Sequence, residues 1–231
     1  MTEALARPLE STAPAQMGTL AGERQMAAGG EAFRPLVAFD FDGTLTCRDS
    51  FRDFLAWRAG PARYAAGLAS LAGALLRFAR DRDRGKLKAA MARRFLRGAG
   101  REELAREAAA YAEARSLALL RPDALRCWRD WRARGARLVI VTATPEIIVA
   151  PFARGLGAEA LIGTRLEFDG KDRVTGRLNG PNCRGFEKVR RLREAFGEPL
   201  DLEAAYGDSD GDREMLAIAR EAGLKVFGAR P

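Results

Sequence analysis

The chain has 231 residues, 47% of them hydrophobic and 30% charged, with 39 Lys and Arg against 31 Asp and Glu and a formal net charge of +8. Such a chain can fold as one domain with a sizeable core, and its basic balance suits a nucleic-acid or anionic membrane partner or, more blandly, reflects the codon bias that also enriches arginine and alanine. It contains no histidine, which excludes Ser-His-Asp and Cys-His catalysis, histidine phosphorylation and His-containing zinc sites.

Residues 1–33 are rich in Ala, Gly and Thr, carry Glu3, Glu10 and Glu23, and have no apolar core of a signal peptide. They are expected to be a disordered tail, with the folded domain spanning 34–231. The stretch LVAFD (36–40) then reads as a buried strand, as do RLVIVT (137–142) and AAYGD (204–208). Each ends in polar residues. The segments PEIIVAPFARGLG and DREMLAIAREAGL, which follow the second and third strands, read as helices. Apolar strands alternating with helices predict an α/β fold, a Rossmann-like parallel sheet covered on both faces, with ligands at the carboxyl ends of the strands.

Between the first two strands the chain is rich in Ala, Leu and Arg. DSFRDFLAWRA, KLKAAMARRFL and REELAREAAAYAEA each predict a helix, separated by Gly60-Pro61 and by RGAG at 97–100. Residues 47–119 are therefore expected to form an inserted helical cap. The uncharged run Tyr64–Leu76 falls short of the ~20 residues that cross a bilayer, so no transmembrane segment is expected. Leu87, Met91 and Phe95 repeat every four residues beside Lys86, Lys88, Arg93 and Arg97, the pattern of a basic helix lying on an anionic membrane. The same stripe also suits a helix packed on its neighbours.

Five aspartates carry the chemistry. Asp40 and Asp42 follow the first strand, and Asp208, Asp210 and Asp212 follow the third. Asp-Gly is a common turn pair, and Asp-x-Asp-x-Asp opens a calcium loop. That loop fails here because Arg213 stands at its glycine position and Ala219 at its closing glutamate. If the strand ends converge, several carboxylates share one pocket. Two like charges 4 Å apart repel by about 4 kcal/mol at an effective dielectric near 20. All-oxygen ligation without His or Cys then favours a hard cation, Mg²⁺. Cys47, Cys127 and Cys183 are far apart and form neither a C-x-x-C pair nor a Cys-x5-Arg loop, which points to a reduced, cytosolic setting.

DFDGT (40–44), Thr142 closing LVIVT, the basic residues of NCRGFEK (182–188) and GDSDGD (207–212) resemble, in order, the four motifs of the haloacid dehalogenase superfamily. The resemblance covers residues 36–231, and the helical insertion resembles the subfamily IB caps of phosphoserine phosphatases. It implies a phosphoric monoester hydrolase. Asp40 is then the nucleophile that forms an aspartyl-phosphate, and Asp42 the acid and base. Thr142 binds a phosphoryl oxygen. Asp40, Asp208 and the main-chain carbonyl of Asp42 ligate Mg²⁺, with Asp212 in the surrounding shell.

Phosphoserine phosphatases carry a lysine immediately before the glycine of the third motif, where this chain has Arg184. Lys188 lies one helical turn later, as in enzymes resembling phosphatidylglycerophosphatase C, and is the favoured basic residue, with Arg184 kept as a phosphate-binding candidate. Asp49 stands where phosphoserine phosphatases place a glutamate for the substrate amine, and equally suits a helix N-cap. The expected substrate is an amphipathic or lipid phosphate monoester such as phosphatidylglycerophosphate. The alternatives are a soluble-metabolite phosphatase of the phosphoserine type and a basic binding module without catalysis. No nucleic-acid partner is expected, because no aromatic-rich basic patch is visible. The expected location is the cytoplasm, with a peripheral contact at the inner face of the membrane.

Overall fold

A short run of Leu, Val, Ala and Phe is stable as a strand only when both faces are covered, and β1 (Leu36–Phe39) is buried at every position. The structure, a computed structural model, describes residues 34–231 apart from Arg82. The tail expected at 1–33 lies outside the described residues.

After β1 the chain leaves the sheet for α1 (Ser50–Ala59), α2 (Pro61–Ser70), α3 (Ala72–Asp81), α4 (Arg84–Phe95) and α5 (Arg101–Leu119). It returns through α6 (Pro122–Ala133) to β2 (Arg137–Pro145), α7 (Glu146–Leu156) and β3 (Ala160–Thr164). A hairpin follows, β4 (Leu166–Phe168) and β5 (Val174–Leu178), then α8 (Phe186–Phe196) and β6 (Leu202–Gly207). A single 3-10 turn (Asp210–Asp212), α9 (Arg213–Ala217) and β7 (Ala219–Leu224) complete the order.

The sheet runs β3-β2-β1-β6-β7 with every neighbouring pair parallel. The chain is therefore the Rossmann-like α/β protein expected from its strands, and β1 sits in the middle. Alternate residues divide the core. Val37, Phe39, Leu138 and Ile140 face Trp128 of α6 and Phe152 of α7, whereas Leu36, Ala38, Val139 and Val141 face Leu192 of α8 and Met215 of α9. Fully burying each of these larger side chains is worth about 1.5–3 kcal/mol. Trp128 and Trp131 are satisfied as well as buried: their indole N–H groups donate to the Leu156 carbonyl at 3.1 Å and the Tyr206 hydroxyl at 2.9 Å.

One expected helix is half wrong. DREMLAIAREAGL makes only the short α9 before the chain extends into β7, which pairs with the open edge of β6. Along β7 only Gly223 is buried, so this is a polar edge strand whose helical propensity yields to the unpaired edge beside it. A Cβ at Gly223 would overlap the Tyr206 ring, and the missing side chain lets the edge strand close on β6.

Within the inserted helices, Gly60 (φ +74°) ends α1 and Pro61 opens α2. The α4 stripe turns inward. Met91 is buried, Leu87 and Phe95 pack on the core, and the Phe95 ring lies 5.3 Å from that of Tyr64 and against Gly67. Arg58 ties three helices together, donating to Glu107 of α5 at 2.6 Å and to the Phe95 carbonyl at 3.0 Å. The turn between α4 and α5 is stitched to the hairpin by Gly98 N–H to Val174 O (2.8 Å) and Val174 N–H to Ala99 O (2.9 Å).

Candidate active site

The parallel sheet brings three polar strand ends to one rim. Asp40 follows the central β1 and donates its N–H to the Tyr206 carbonyl at 2.9 Å. Thr142 lies on β2 to one side, and Asp208 follows β6 on the other. All of them line one cleft of about 620 Å³, together with Asp42, Asp49, Arg184, Lys188 and Asp212.

Lys188, only 1% exposed, is the electrostatic centre. Helix α8 aims its amine at Asp40 Oδ1, Asp212 Oδ1 and the Val141 carbonyl, each accepting at 2.6 Å. Burial alone works against the ammonium, but the two carboxylates outweigh it and hold the Lys188 pKa above its ordinary value. Asp212 is held below the usual range despite its own burial. Lys188 charges it favourably, and its other oxygen accepts from Ser209 N–H at 3.0 Å and from the Ser209 hydroxyl at 2.9 Å.

Asp40 and Asp208 are placed differently. Burial pushes Asp40 up to about 7 in spite of Lys188, with Asp212 adding to the rise. Asp208, half-buried, is raised by desolvation and by Asp212, and its carboxylate accepts no hydrogen bond from any other described residue. One oxygen each from Asp40, Asp208 and Asp212 lies within 4.8 Å of the others. Three carboxylates against one ammonium leave excess negative charge. A Cβ at Gly43 (φ +87°) would overlap the Asp208 carboxylate, so the glycine is needed both for its backbone and for this approach. Clustered hard oxygens, one carboxylate that no other described residue donates to and uncompensated charge fit a divalent cation. Asp40 and Asp208 are the side chains with room to hold it, whereas Asp212 is already saturated by donors from Lys188 and Ser209.

Asp42 points elsewhere. Its Oδ1 accepts from the N–H of Ser50, the first residue of α1, at 2.7 Å, and its Oδ2 accepts from the Thr144 hydroxyl at 2.5 Å. Burial and the nearby Asp49 raise it to about 6, against the stabilisation from these donors. Thr142 is buried, and its hydroxyl oxygen accepts from the Thr144 N–H at 3.0 Å. Arg184 lies at the rim, its guanidinium packed over Gly211 and 3.4 Å from the Ser209 hydroxyl. It does not reach Asp40; Lys188 does. Asp49 lines the cleft and also caps α1, accepting from Arg52 N–H at 2.9 Å.

Two residues of the cleft carry no sequence signal. Thr144 stands two residues beyond the strand-end threonine, and only the tertiary fold brings it against Asp42. Lys88 comes from the inward side of α4, where its amine donates to the Ala143 carbonyl and faces the Phe51 ring. Burial lowers Lys88 to about 8, opposed by Asp42 and Asp49. In the sequence it is one basic residue in a run of basic residues.

Fold and site together define an α/β enzyme in which carboxylates, one buried lysine and threonine hydroxyls stand where other hydrolases use histidine. The chain belongs to the haloacid dehalogenase-like hydrolase family, whose model matches residues 37–217. It is 56% identical over 216 residues to the protein CicA of Caulobacter vibrioides, covering 89% of this chain and 97% of that protein. It is 34% identical over 194 residues to a phosphoserine phosphatase of Halobacterium salinarum, covering 81% of this chain and 83% of the relative. Among solved structures, a Bordetella pertussis protein of unknown function superposes with a TM-score of 0.69 at 29% identity, covering 83% of this chain and 90% of that one.

Proposed function

We propose that the protein is an Mg²⁺-dependent phosphomonoesterase that works through an aspartyl-phosphate on Asp40 and acts on an amphipathic phosphate, of which phosphatidylglycerophosphate is an example. The observation that carries the mechanism is the division of labour between the two carboxylates after β1. Asp40 is fixed by Lys188 beside Asp208, whereas Asp42 is fixed by Ser50 and Thr144 away from that cluster.

Lys188 occupies Asp40 Oδ1, and Oδ2 has only a long 3.4 Å contact from Thr44. Oδ2 is therefore the oxygen that attacks phosphorus in line. The ester P–O bond breaks, its electron pair goes to the leaving oxygen, and Asp42 supplies the proton. Asp42, now ionised, takes a proton from water as that water attacks the aspartyl-phosphate, which releases inorganic phosphate and restores Asp40. Thr142 donates to a phosphoryl oxygen, and Lys188, its three N–H groups taken by Asp40, Asp212 and Val141, offsets the charge that builds there through its field. A bound Mg²⁺, held by Asp40, Asp208 and the main-chain carbonyl of Asp42, would neutralise phosphoryl charge and orient the group.

The cleft wall supports an amphipathic substrate. Phe51, Phe78, Leu87 and Met91 line it beside Arg48, Arg52, Arg84 and Lys88, so an apolar body and an anionic head both find partners. A soluble amino-acid phosphate is the second reading, favoured by Asp49 and Lys88 as a pair of opposite charges and by the resemblance to the Halobacterium salinarum enzyme. The assembled cluster argues against a binding module without catalysis. Three cysteines free of disulfides suit a reducing cytoplasm. No described helix is long and apolar enough to cross a membrane, and we assign the enzyme to the inner membrane face as a peripheral protein.

A phosphatase panel with lipid phosphates in detergent micelles, phosphoserine and an aryl phosphate tests the reading. Turnover is expected to require Mg²⁺, to vanish in EDTA and in Asp40→Asn, and to be fastest on the lipid phosphate. Full activity in EDTA or in Asp40→Asn would overturn the mechanism. Preference for phosphoserine would overturn the substrate class alone.

A further inference from the structure

A second cavity lies apart from the catalytic cleft. It is a groove of about 980 Å³ between α3, α4 and the β4–β5 hairpin. Arg77, Arg93, Arg94, Arg97, Arg173 and Arg177 line it, with Asp169 as the one acid. Arg94 is engaged with Ser70 at 2.9 Å, Arg173 with the Gly98 carbonyl at 2.8 Å and Arg177 with Glu167 at 2.7 Å. Arg77, Arg93 and Arg97 have neither an ion pair nor a hydrogen bond among the described residues. Three unpaired guanidinium groups beside three anchored ones are a strong local field for anions.

Helix α3 separates this groove from the active site. Ala74 and Arg77 line the groove, while Phe78 lines the catalytic cleft. The helix has no buried residue at all, and Leu75 and Leu76 on it are 40% and 73% exposed. An exposed helix of this kind, apolar on one side and basic on the other, fits the boundary between water and acyl chains.

We propose that the groove and α3 form a docking surface for an anionic phospholipid bilayer, with phosphate headgroups seated among Arg77, Arg93 and Arg97 and the exposed leucines entering the interface. The surface differs from the one the sequence pattern suggests, because the α4 stripe is spent on packing and α3 carries the exposed apolar residues. Charge complementarity selects the occupant. No aromatic side chain lines the groove, so a single-stranded nucleic acid would find charge without stacking. Docking here sets the bilayer beside the mouth of the cleft, which gives an amphipathic substrate a short path; in that respect the inference rests on the proposed substrate class, though binding itself does not.

Co-sedimentation with phosphatidylglycerol and phosphatidylcholine vesicles tests it, using wild type, Asp40→Asn, Arg77→Glu/Arg97→Glu, and Arg77→Glu alone. Wild type and Asp40→Asn should pellet with phosphatidylglycerol only, less at high salt. The double variant should bind at least about 25-fold more weakly, at roughly fivefold for each of the two arginines removed, while its turnover of a soluble aryl phosphate stays at the wild-type level and reports an intact fold. The single variant should fall between. Recovery in the supernatant with both vesicle types, wild-type binding by the double variant, or displacement from vesicles by a stoichiometric oligonucleotide would each overturn the proposal. Vesicle binding without turnover of any phosphate would leave docking standing and remove the enzymatic reading; turnover without vesicle binding would do the reverse.

Discussion

Lys188 and Arg184 are four residues apart on one short segment, yet the fold gives them opposite environments. Lys188 is enclosed among Asp40, Asp212 and Val141, and Arg184 lies at the rim over Gly211. A compact ammonium can sit between two carboxylates where a broad planar guanidinium would crowd them. Removing it leaves buried carboxylates unpaired, at a cost of about 3–5 kcal/mol. Separately from that stability cost, loss of a preorganised charge beside the reacting group is expected to lower kcat of Lys188→Ala by more than about 100-fold, and Arg184→Ala should lose less than about 10-fold. Steady-state kinetics decide, and the reverse order would move the third-motif role to Arg184. Thr144 makes a different point. Its hydroxyl holds Asp42 at 2.5 Å, so it acts on the reaction only through the proton that Asp42 gives. Thr144→Val should slow alkyl phosphates by about 10-fold or more, as loss of aligned acid catalysis does. Aryl phosphates, whose leaving groups need little protonation, should change far less, and Thr144→Ser should restore the alkyl rate. Equal loss on both substrates would mean that Thr144 is merely structural.

At the scale of elements, legibility followed locality. Asp40, Asp42, Thr142, Asp208 and Asp212 could be read because each sits at or just beyond the end of an apolar strand, and a parallel sheet gathers such ends at one rim. Lys88 and Thr144 could not, since nothing near them in the chain marks a contact made across the fold. The hairpin β4–β5 carries no signal in the sequence because its strands are short and polar, and β7 forms a strand despite its helical pattern because an edge strand can borrow its order from β6. The start of α1 is the element where two readings of one residue meet. Asp49 caps the helix through Arg52 N–H, and the neighbouring Ser50 N–H holds Asp42. Asn caps helices about as well as Asp, so Asp49→Asn separates capping from charge. The variant should keep its thermal midpoint and its KM for lipid phosphates. A raised KM confined to phosphoserine would show that the carboxylate receives an amine.

For the whole molecule, the sequence's surplus of basic charge and the active site's surplus of acidic charge are separate facts with separate causes. The net charge of +8 is spread over arginines that mostly pair at the surface or line the groove, and each exposed pair is worth only about 0–1 kcal/mol. The catalytic rim is the opposite case. Asp40, Asp208 and Asp212 are gathered by the sheet within 4.8 Å of one another, with Lys188 as the buried counter-charge. The fold thus stores repulsion at the C-terminal edge of β1, and a cation that binds only the folded arrangement relieves it. Mg²⁺ should therefore stabilise the protein by mass action, about 2.7 kcal/mol at a concentration 100 times its Kd. For a domain of this size that is a rise of roughly 5–10 °C in the thermal midpoint, at about 2–4 °C per kcal/mol. Asp208→Asn removes a ligand and one of the repelling charges together. It should leave the metal-free protein at least as stable as wild type and erase most of the Mg²⁺-dependent rise. Thermal melts of both proteins, with Mg²⁺ and with EDTA, read the difference directly. An Asp208→Asn protein that still rises with Mg²⁺ as wild type does would place the cation elsewhere.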